Sequence, residues 1–396
     1  MLIEILLFLV LGILIGTFTG LIPGIHTNLI GVFLISLSTT IFFSINPIYF
    51  VVFIVAMALT HTFVDFIPSI FLGCPDTDTE LSILPGHELL KNGQGYEAVA
   101  LTAYGSLAAI FVLILISFPA IFLISKTYNF ISSILPYLLI TTSIILISLE
   151  KKKFTALFVF LITGFLGWSV LNMEILSEPL LPLLTGLFGS SMLLISINSK
   201  TKIPEQKIIK IKPKLFKPLL GALIASPLCS FLPGLGSGQA AILGNTISKT
   251  DRKGFLILVG ATNTLVMGFS FVALYVISKT RTGAAVAIQK ILGSFSQEVL
   301  ILILIISFIT GIIAFFLTLN LTKLFANYIN KINYTILSSS TLIFLTIIIF
   351  LISSWIGLIV FLVSTLTGIY CISLGAKRTN MMGCLLIPTI IFYLFI

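Results

Sequence analysis

Two ionisable side chains lie four residues apart inside an apolar stretch of the chain. His61 and Asp65 occur in ALTHTFVDFIPS, residues 58–69, and a spacing of four places both on one face of an α-helix. Burying an ionisable group in a membrane span is unfavourable, so such a residue is a functional hypothesis by default. We expect Asp65 to bind Na⁺ or a proton, with His61 as its partner or as a second proton site. The structural alternative is a His–Asp pair that holds a helix bundle together.

A second apolar segment, ATNTLVMGFS (residues 261–270), carries neutral polar side chains. With an offset of 202 residues, HTFV (61–64) aligns in sequence with NTLV (263–266). The residues predicted to bind a coupling ion are therefore His61, Asp65, Asn263 and Thr264.

Two Pro-Gly turns interrupt apolar segments at corresponding places, GLIPGIHTN (20–28) and SFLPGLGSGQ (230–239), which match with an offset of 210. An open turn in hydrocarbon is tolerated only where it is buried in protein or lines water. Small polar residues follow each turn at the start of a helix, and a helix N-terminus can hold a carboxylate or phosphate. Two such tips meeting near the midplane would form an anion site. The predicted substrate residues are Pro23, Gly24, His26, Thr27, Asn28, Pro233, Gly234, Gly236, Ser237 and Gln239.

Both turns also have simpler interpretations. Thr27 and Ser237 are common N-cap residue types, and capping is compatible with anion binding. The first turn can join two full helices outside the membrane, because each arm exceeds 20 residues. The second has a short return arm, AAILGNTIS (240–248), which favours a re-entrant hairpin.

The loop at residues 71–98 is the most polar region of the first half. Its acidic side chains are Asp76, Asp78, Glu80 and Glu88. An Asp-x-Asp-x-Glu triplet can chelate Mg²⁺, but a lone triplet is a weak signal and leaves any metal site unassigned. The sequence has no His-Glu-x-x-His motif, paired catalytic Asp motif or Ser–His dyad. We therefore expect a protein that is not an enzyme and needs no cofactor beyond Na⁺ or H⁺ as coupling ion.

Composition places the chain among membrane proteins. Hydrophobic residues make up 58% and charged residues 9%, and the mean hydropathy is +1.20. Apolar runs of about 18 or more residues recur, each long enough to cross a bilayer, which indicates an all-α polytopic protein. The net charge of +9 does not indicate a nucleic-acid partner, because the basic residues lie in short loops. The cysteines are interpreted as core residues: Cys74, Cys229, Cys371 and Cys384.

The apolar segments divide the chain into two similar halves. Each half is predicted to hold one Pro-Gly-hinged hairpin, at 2–45 or 215–248, followed by about five crossings. The crossings are expected near 48–72, 97–124, 130–149, 154–171 and 179–198, and near 254–278, 297–319, 334–354, 356–374 and 380–396. A hairpin returns the chain to the face it left, and five crossings are an odd number, so the second half starts from the opposite face of the membrane. The prediction is two inverted-topology repeats, 1–198 and 218–396, joined by a basic cytoplasmic linker, 199–217, as in many secondary transporters.

Basic residues predict the orientation. If EKKK (150–153) is cytoplasmic, 18 of the 22 Lys and Arg residues fall on the cytoplasmic side and 4 on the other. This distribution follows the positive-inside rule. Both termini are then extracytoplasmic. We expect a multi-pass protein of the cell (plasma) membrane, in contact with membrane lipid.

With these turns and the polar loop, the sequence resembles the large permease subunit of tripartite tricarboxylate transporters, the TctA family. The most specific stretch is 66–106, where PGHELLKNGQG (85–95) keeps Gly86, Lys91 and Gly93 of a family element. The two Pro-Gly turns resemble the paired hairpins of the family. The chain departs from the family pattern at two places. The first hairpin has Pro-Gly-Ile-His-Thr-Asn in place of the family's Pro-Gly-Leu-Gly, and the loop has Cys-Pro-Asp-Thr-Asp in place of the family's Pro-Gly-Glu. At 396 residues it is also short, so it resembles a divergent branch.

The resemblance implies ion-driven import of carboxylates, with a periplasmic-type binding protein and a small membrane subunit. The leading hypothesis is a secondary active transporter, a symporter for a small organic anion such as a di- or tricarboxylate, using alternating access around the two tips. One alternative is a flippase for lipid-linked (polyprenyl) phosphate, since a helix-tip anion site suits a phosphate head group. An intramembrane enzyme is a third. The sequence leaves the substrate and the oligomeric state open, with a homodimer as one option.

Overall fold

A computed structural model gives the arrangement of these segments. It describes residues 2–22, 46–73, 78–148, 150–176, 178–198, 203–231, 236–278, 282–293, 296–331, 333–375 and 378–395. The regular elements in these ranges are all helical: α1 (Leu2–Leu21), α2 (Pro47–Val64), α3 (Phe66–Phe71), α4 (Ile83–Lys91), α5 (Gly95–Ser148), α6 (Lys153–Leu171), α7 (Leu180–Leu184), α8 (Ser191–Asn198), α9 (Phe216–Phe231), α10 (Ser237–Ser248), α11 (Arg252–Ile277), α12 (Gly283–Leu292), α13 (Gln297–Tyr328), α14 (Tyr334–Ser373) and α15 (Gly383–Phe395). Short 3₁₀ segments lie at Glu80–Ser82, Ile329–Lys331 and Arg378–Met382, and a π-helical turn lies at Thr185–Ser190.

Within the described ranges, nine helical segments are long and apolar enough to cross a membrane, when the consecutive elements of Pro47–Phe71, Leu180–Asn198 and Arg378–Phe395 are each taken as one segment. This agrees with the predicted all-α membrane class. Two of the long helices each contain two predicted crossings. In α14 the predicted break coincides with Ser354, whose backbone is non-helical (φ 57°, ψ −160°). In α5 the helix continues through the polar residues around Lys126, where a break was predicted, and Thr127 donates to the Leu123 carbonyl of its own helix at 2.7 Å.

Two short helices, α4 and α12, lie where the sequence analysis placed loops. Each ends just before a glycine with positive φ, Gly93 (+76°) or Gly293 (+74°), a conformation that glycine adopts without strain. The long helices that follow, α5 and α13, begin at Gly95 and Gln297. Both halves of the chain therefore contain a short helix, a left-handed glycine and a long helix in the same order.

The chain folds into two compact units, and each takes segments from both halves of the sequence. Unit 1 consists of Met1–Ile67, Val99–Tyr128 and Lys210–Thr322. Unit 2 consists of Pro68–Ala98, Asn129–Ile209 and Lys323–Ile396.

In unit 1, α1 packs closely against α2 through small residues. Gly12, Gly16 and Gly20 recur every four residues along one face of α1, and a Cβ at Gly16 would collide with the backbone of Met57. Such a stripe lets two membrane helices approach closely. The close contact brings the last turn of α1, with Thr19, beside the last turn of α2.

Also in unit 1, α5 and α13 cross in an antiparallel sense. Tyr104 packs edge-on against Phe315, with ring centroids 5.0 Å apart, and Phe111 packs against Phe308 at 5.5 Å. Residue numbers thus rise along α5 as they fall along α13. Gly311 lies between these aromatic pairs, where an added Cβ would collide with Ile110.

Unit 2 contains two helix crossings that join the first half of the chain to the second. Gly167 of α6 lies against the backbone of Cys384 in α15, and Gly368 of α14 lies against Ser191 of α8. In each crossing a glycine provides the room for the neighbouring helix. Each half therefore contributes one glycine-bearing helix to this packing.

Candidate functional site

Polar side chains of α2 and α11 meet in the interior of unit 1. Asp65 follows the last residue of α2, and its N–H donates to the His61 carbonyl at 3.0 Å. Asn263 Nδ2 donates to Asp65 Oδ2 at 2.9 Å and lies 3.5 Å from the Thr62 carbonyl oxygen. Asp65 and Asn263 are only 4% and 3% exposed. Two of the predicted coupling-ion residues, one from each half of the chain, are therefore in direct contact.

Two threonines extend this contact. Thr62 Oγ1 lies 3.3 Å from Thr264 Oγ1, and these residues are 202 positions apart, the offset that aligns HTFV with NTLV. The Thr62 hydroxyl donates to the Leu59 carbonyl at 2.9 Å, so its oxygen is left to accept from Thr264. The two halves of the chain thus touch at matching sequence positions.

His61 hydrogen bonds in another direction, towards α1. Its Nδ1 lies 3.0 Å from Thr19 Oγ1, and Thr19 is also 3.1 Å from the Gly16 carbonyl. Sequence reasoning named Asp65 as the neighbour of His61 and missed Thr19. The signal was present in GTFTG (16–20), where Thr19 adjoins a glycine of the α1 packing face. We call the following set the Asp65 cluster: Thr19, His61, Thr62, Asp65, Asn263 and Thr264.

Most of the predicted substrate residues lie outside the described residues: Pro23, Gly24, His26, Thr27, Asn28, Pro233 and Gly234. The other three, Gly236, Ser237 and Gln239, stand at the start of α10. Gln239 Oε1 accepts the N–H of Gly236 at 2.8 Å, so this side chain caps its own helix. Ser237 and Gln239 are buried. The start of α10 is therefore inside the protein.

The acidic loop forms a second buried polar region, in unit 2. Asp76 lies outside the described residues, and Glu80 is buried. Among the described residues, no group of three or more His, Cys, Asp and Glu side chains is arranged to hold a metal ion. His87 Nδ1 lies 2.8 Å from the Ile70 carbonyl oxygen. Burial lowers the pKa of His87 to about 4, so the ring is neutral at pH 7 and Nδ1–H donates to that carbonyl.

Arg378 is a residue whose position the sequence did not reveal. It was counted among the cytoplasmic loop charges, but it is only 9% exposed. Its guanidinium contacts the sulfur of Met192 and is near enough to Glu88 for their charges to interact. Asn380, in the same 3₁₀ segment, is fully buried. No periodic pattern distinguishes a buried arginine in a short 3₁₀ segment from an arginine in an exposed loop.

Comparison with known proteins identifies the family. A model of the tripartite tricarboxylate transporter TctA family matches residues 6–383. The chain belongs to the TctA family. The chain is also 34% identical over 403 residues to an uncharacterized protein of Methanocaldococcus jannaschii, covering 98% of this chain and 99% of that protein. No solved structure matches the chain.

Membership in the TctA family confirms the resemblance seen in the sequence. It makes the chain a member of a transporter family, which agrees with the prediction of a transporter instead of an enzyme. The tripartite family implies, in general, a binding protein and a small subunit as partners. The nine apolar helices of the described part fit a multi-pass membrane protein. The relative from M. jannaschii has a similar length.

Proposed function

We propose that this TctA-family chain is the permease of a secondary active transporter for a small organic anion, a di- or tricarboxylate, driven by Na⁺ or H⁺. The observation that carries the proposal is the contact between Asp65 and Asn263, a buried carboxylate shared by helices of both halves. Ionisable groups inside membrane segments are rare and mark ion or proton pathways. A cation bound to this carboxylate changes the interaction between the two halves, and transport coupling needs such a differential interaction.

We infer that residues 1–198 and 218–396 are inverted repeats joined by the basic linker 199–217. The matching helices α5 and α13 begin 202 residues apart and cross antiparallel in unit 1. The same offset relates α6 (Lys153–Leu171) to the part of α14 that follows Ser354 and ends at Ser373. Matching helices that run in opposite directions are the signature of inverted repeats, which supply alternating access in secondary transporters.

The start of α10 supports an anion site at the second tip. Ser237 and Gln239 are buried at the N-terminus of this 12-residue helix. The N–H groups at a helix start favour a carboxylate or phosphate. We therefore assign substrate binding to the two tips, whose residues are Pro23, Gly24, His26, Thr27, Asn28, Pro233, Gly234, Gly236, Ser237 and Gln239.

The Asp65 cluster is the proposed coupling site. Asp65 accepts a hydrogen bond from Asn263 at 2.9 Å, while the carbonyl oxygen of Thr62 lies 3.5 Å from the same amide nitrogen. A proton on the carboxylate, or Na⁺ bound by these two oxygens, competes with the Asn263 amide. Occupancy by the ion therefore shifts the contact between α2 and α11. His61 and Thr19 keep the neighbouring face of α2 attached to α1.

The packing of the basic linker supports the proposed orientation. In unit 2 the N–H of Lys207 donates to the Gly93 carbonyl at 2.8 Å, and Gln206 Oε1 accepts the N–H of Gly95 at 2.7 Å. The linker and the loop after Lys91 therefore lie on one face, as the assignment of both to the cytoplasm requires. We propose that the termini face the other side, where a binding protein delivers the anion and a small membrane subunit completes the complex.

Ligand binding and uptake by the purified full chain test the proposal. We expect a di- or tricarboxylate to raise the melting temperature more in the presence of Na⁺ or at low pH. In proteoliposomes, Asp65→Asn should abolish ion-driven uptake of that anion without loss of folding. Asp251→Asn is the matched control, because Asp251 is an exposed N-cap that bonds Gly254 N–H at 2.8 Å and asparagine also caps helices well.

Unchanged ion-driven uptake in Asp65→Asn would overturn the coupling assignment. Binding of a polyprenyl phosphate, together with failure of all carboxylates to bind, would replace the proposal with the flippase alternative.

A further inference from the structure

A basic cavity opens in unit 1 between the start of α9 and the turn that joins α10 to α11. Its volume is about 570 Å³. Lys214, Lys217 and Lys249 line it, and all three are exposed. Loop lysines are expected on the cytoplasmic side of any membrane protein, but here Lys249 joins Lys214 and Lys217 at one cavity from a separate part of the sequence.

The backbone of Lys249 is the second observation. Lys249 is the residue after α10 and has left-handed torsion angles, φ 46° and ψ 60°, with its N–H bonded to the Asn245 carbonyl at 2.8 Å. Glycine is the usual residue at this position, because a side chain is strained there. Strain retained at a particular residue is a reason to look for a function of its side chain.

The turn that carries Lys249 is held rigidly. Asn245 Oδ1 accepts both the N–H of Thr250 at 3.1 Å and its hydroxyl at 2.7 Å. Asp251 Oδ1 accepts the N–H of Gly254 at 2.8 Å, so the acid that lines the cavity is bonded to the first turn of α11. The backbone at Lys249 is therefore preorganised, and the three lysines outnumber Asp251, the acidic residue that lines the cavity.

Large apolar side chains adjoin the lysines. Phe216, which also lines the cavity, is 81% exposed, and Ile247, two residues before Lys249, is 51% exposed. Exposed apolar groups beside lysines are typical of the membrane–water boundary, where the lysine stem lies along apolar surface and the ammonium reaches water. The cavity thus has a charged part suited to a head group and an apolar margin suited to acyl chains.

We propose that this cavity binds the phosphate group of an anionic phospholipid. Clusters of lysine beside membrane segments attract anionic head groups, and three ammonium groups around one cavity favour a phosphodiester over a neutral or zwitterionic head group. The site uses no residue of the Asp65 cluster, so it stands independently of the transported anion.

Lipid binding by the purified full chain in detergent micelles tests the proposal, with phosphatidylglycerol as the probe and phosphatidylcholine as the comparison lipid. Native mass spectrometry counts the retained lipid. We expect the double variant K214Q/K217Q to weaken phosphatidylglycerol binding about fivefold for each lysine removed. The matched control is K210Q/K212Q, which removes the same charge from the same linker at exposed lysines that do not line the cavity.

The variant Lys249→Gly separates binding from structure. It should weaken phosphatidylglycerol binding about fivefold and raise the melting temperature of the lipid-free protein, because glycine relieves the left-handed strain. The proposal is overturned if K210Q/K212Q reduces binding as much as K214Q/K217Q, or if Lys249→Gly leaves binding unchanged. Displacement of the lipid by millimolar inorganic phosphate would also overturn it, in favour of a free-anion site.

Discussion

The helices α2 and α11 occupy matching positions in the two halves, yet their polar residues differ in kind. With the offset of 202, Thr60-His61-Thr62 lies over Thr262-Asn263-Thr264, and Asp65 lies over Met267. All of these side chains are buried. The threonines are shared, whereas among these aligned positions the ionisable residues occur only in the first half. The two helices therefore share buried hydroxyl groups at these positions but not ionisable groups.

Because of this difference, the contact between Asp65 and Asn263 has no equivalent at the aligned positions. The sequence counterpart of the pair Asp65–Asn263 is Met267 with His61, a combination without a carboxylate. His61 instead bonds to Thr19 of α1. Within the proposed function, the coupling cation binds on the side of the contact that the first half contributes, because Asp65 aligns with Met267 in the second half.

The largest effect on stability is expected from Asn263→Leu, which removes the side-chain amide that donates to Asp65. Asp65 would lose the N–H that it accepts at 2.9 Å, and a buried acceptor that loses its donor costs up to about 3 kcal/mol. Met267→Leu, four residues along the same helix, is the matched control, because a volume-conserving apolar swap costs less than about 1.5 kcal/mol. Unfolding in mixed micelles measures both. Equal loss in the two variants would show that the Asp65–Asn263 contact is unimportant for stability.

The polar contact was partly visible in the sequence because rare ionisable residues stand out in apolar helices. His61 and Asp65 were selected on that basis, and Asn263 and Thr264 were selected as polar residues of the corresponding apolar segment in the second half. The structure brings Asp65 to Asn263 and Thr264 to Thr62. Thr19 was missed because a hydroxyl in a membrane helix most often bonds to its own backbone, as Thr17 does. Only the packing of α1 on α2 selects between these two threonines.

The fold was predictable where hydropathy changes and less so where the backbone turns. Apolar length indicated the class and most crossings, and the break at Ser354 follows a predicted boundary. The helices α4 and α12 are short and mixed in polarity, so no long apolar run in the sequence predicts them. The burial of Arg378 depends on contacts with residues distant in the sequence, such as Met192.

His87 extends the comparison to a buried histidine of unit 2. Because burial lowers its pKa to about 4, the unfolded chain binds a proton below pH 6.5 while the folded chain does not. Stability from this residue is therefore present above pH 6.5 and is lost as the pH falls towards 4. Between pH 7 and pH 5 we expect a loss of about 2 kcal/mol. Melting curves at both pH values, compared with those of His87→Gln, measure it, and an equal pH dependence in the variant would contradict the assignment.

The smallest effect is expected from Thr19→Val, which tests why His61 differs from its counterpart Asn263. The substitution keeps the shape of the side chain and removes the oxygen that lies 3.0 Å from His61 Nδ1. A typical buried hydrogen bond contributes about 1 kcal/mol, so a modest loss of stability is expected. Thr17→Val is the control, since the Thr17 hydroxyl bonds to the Ile13 carbonyl of its own helix at 2.7 Å. If both variants lose the same amount, Thr19 does not orient His61. If only Thr19→Val loses stability, the hydrogen bond from α1 is what distinguishes the contacts of His61 from those of its sequence counterpart Asn263.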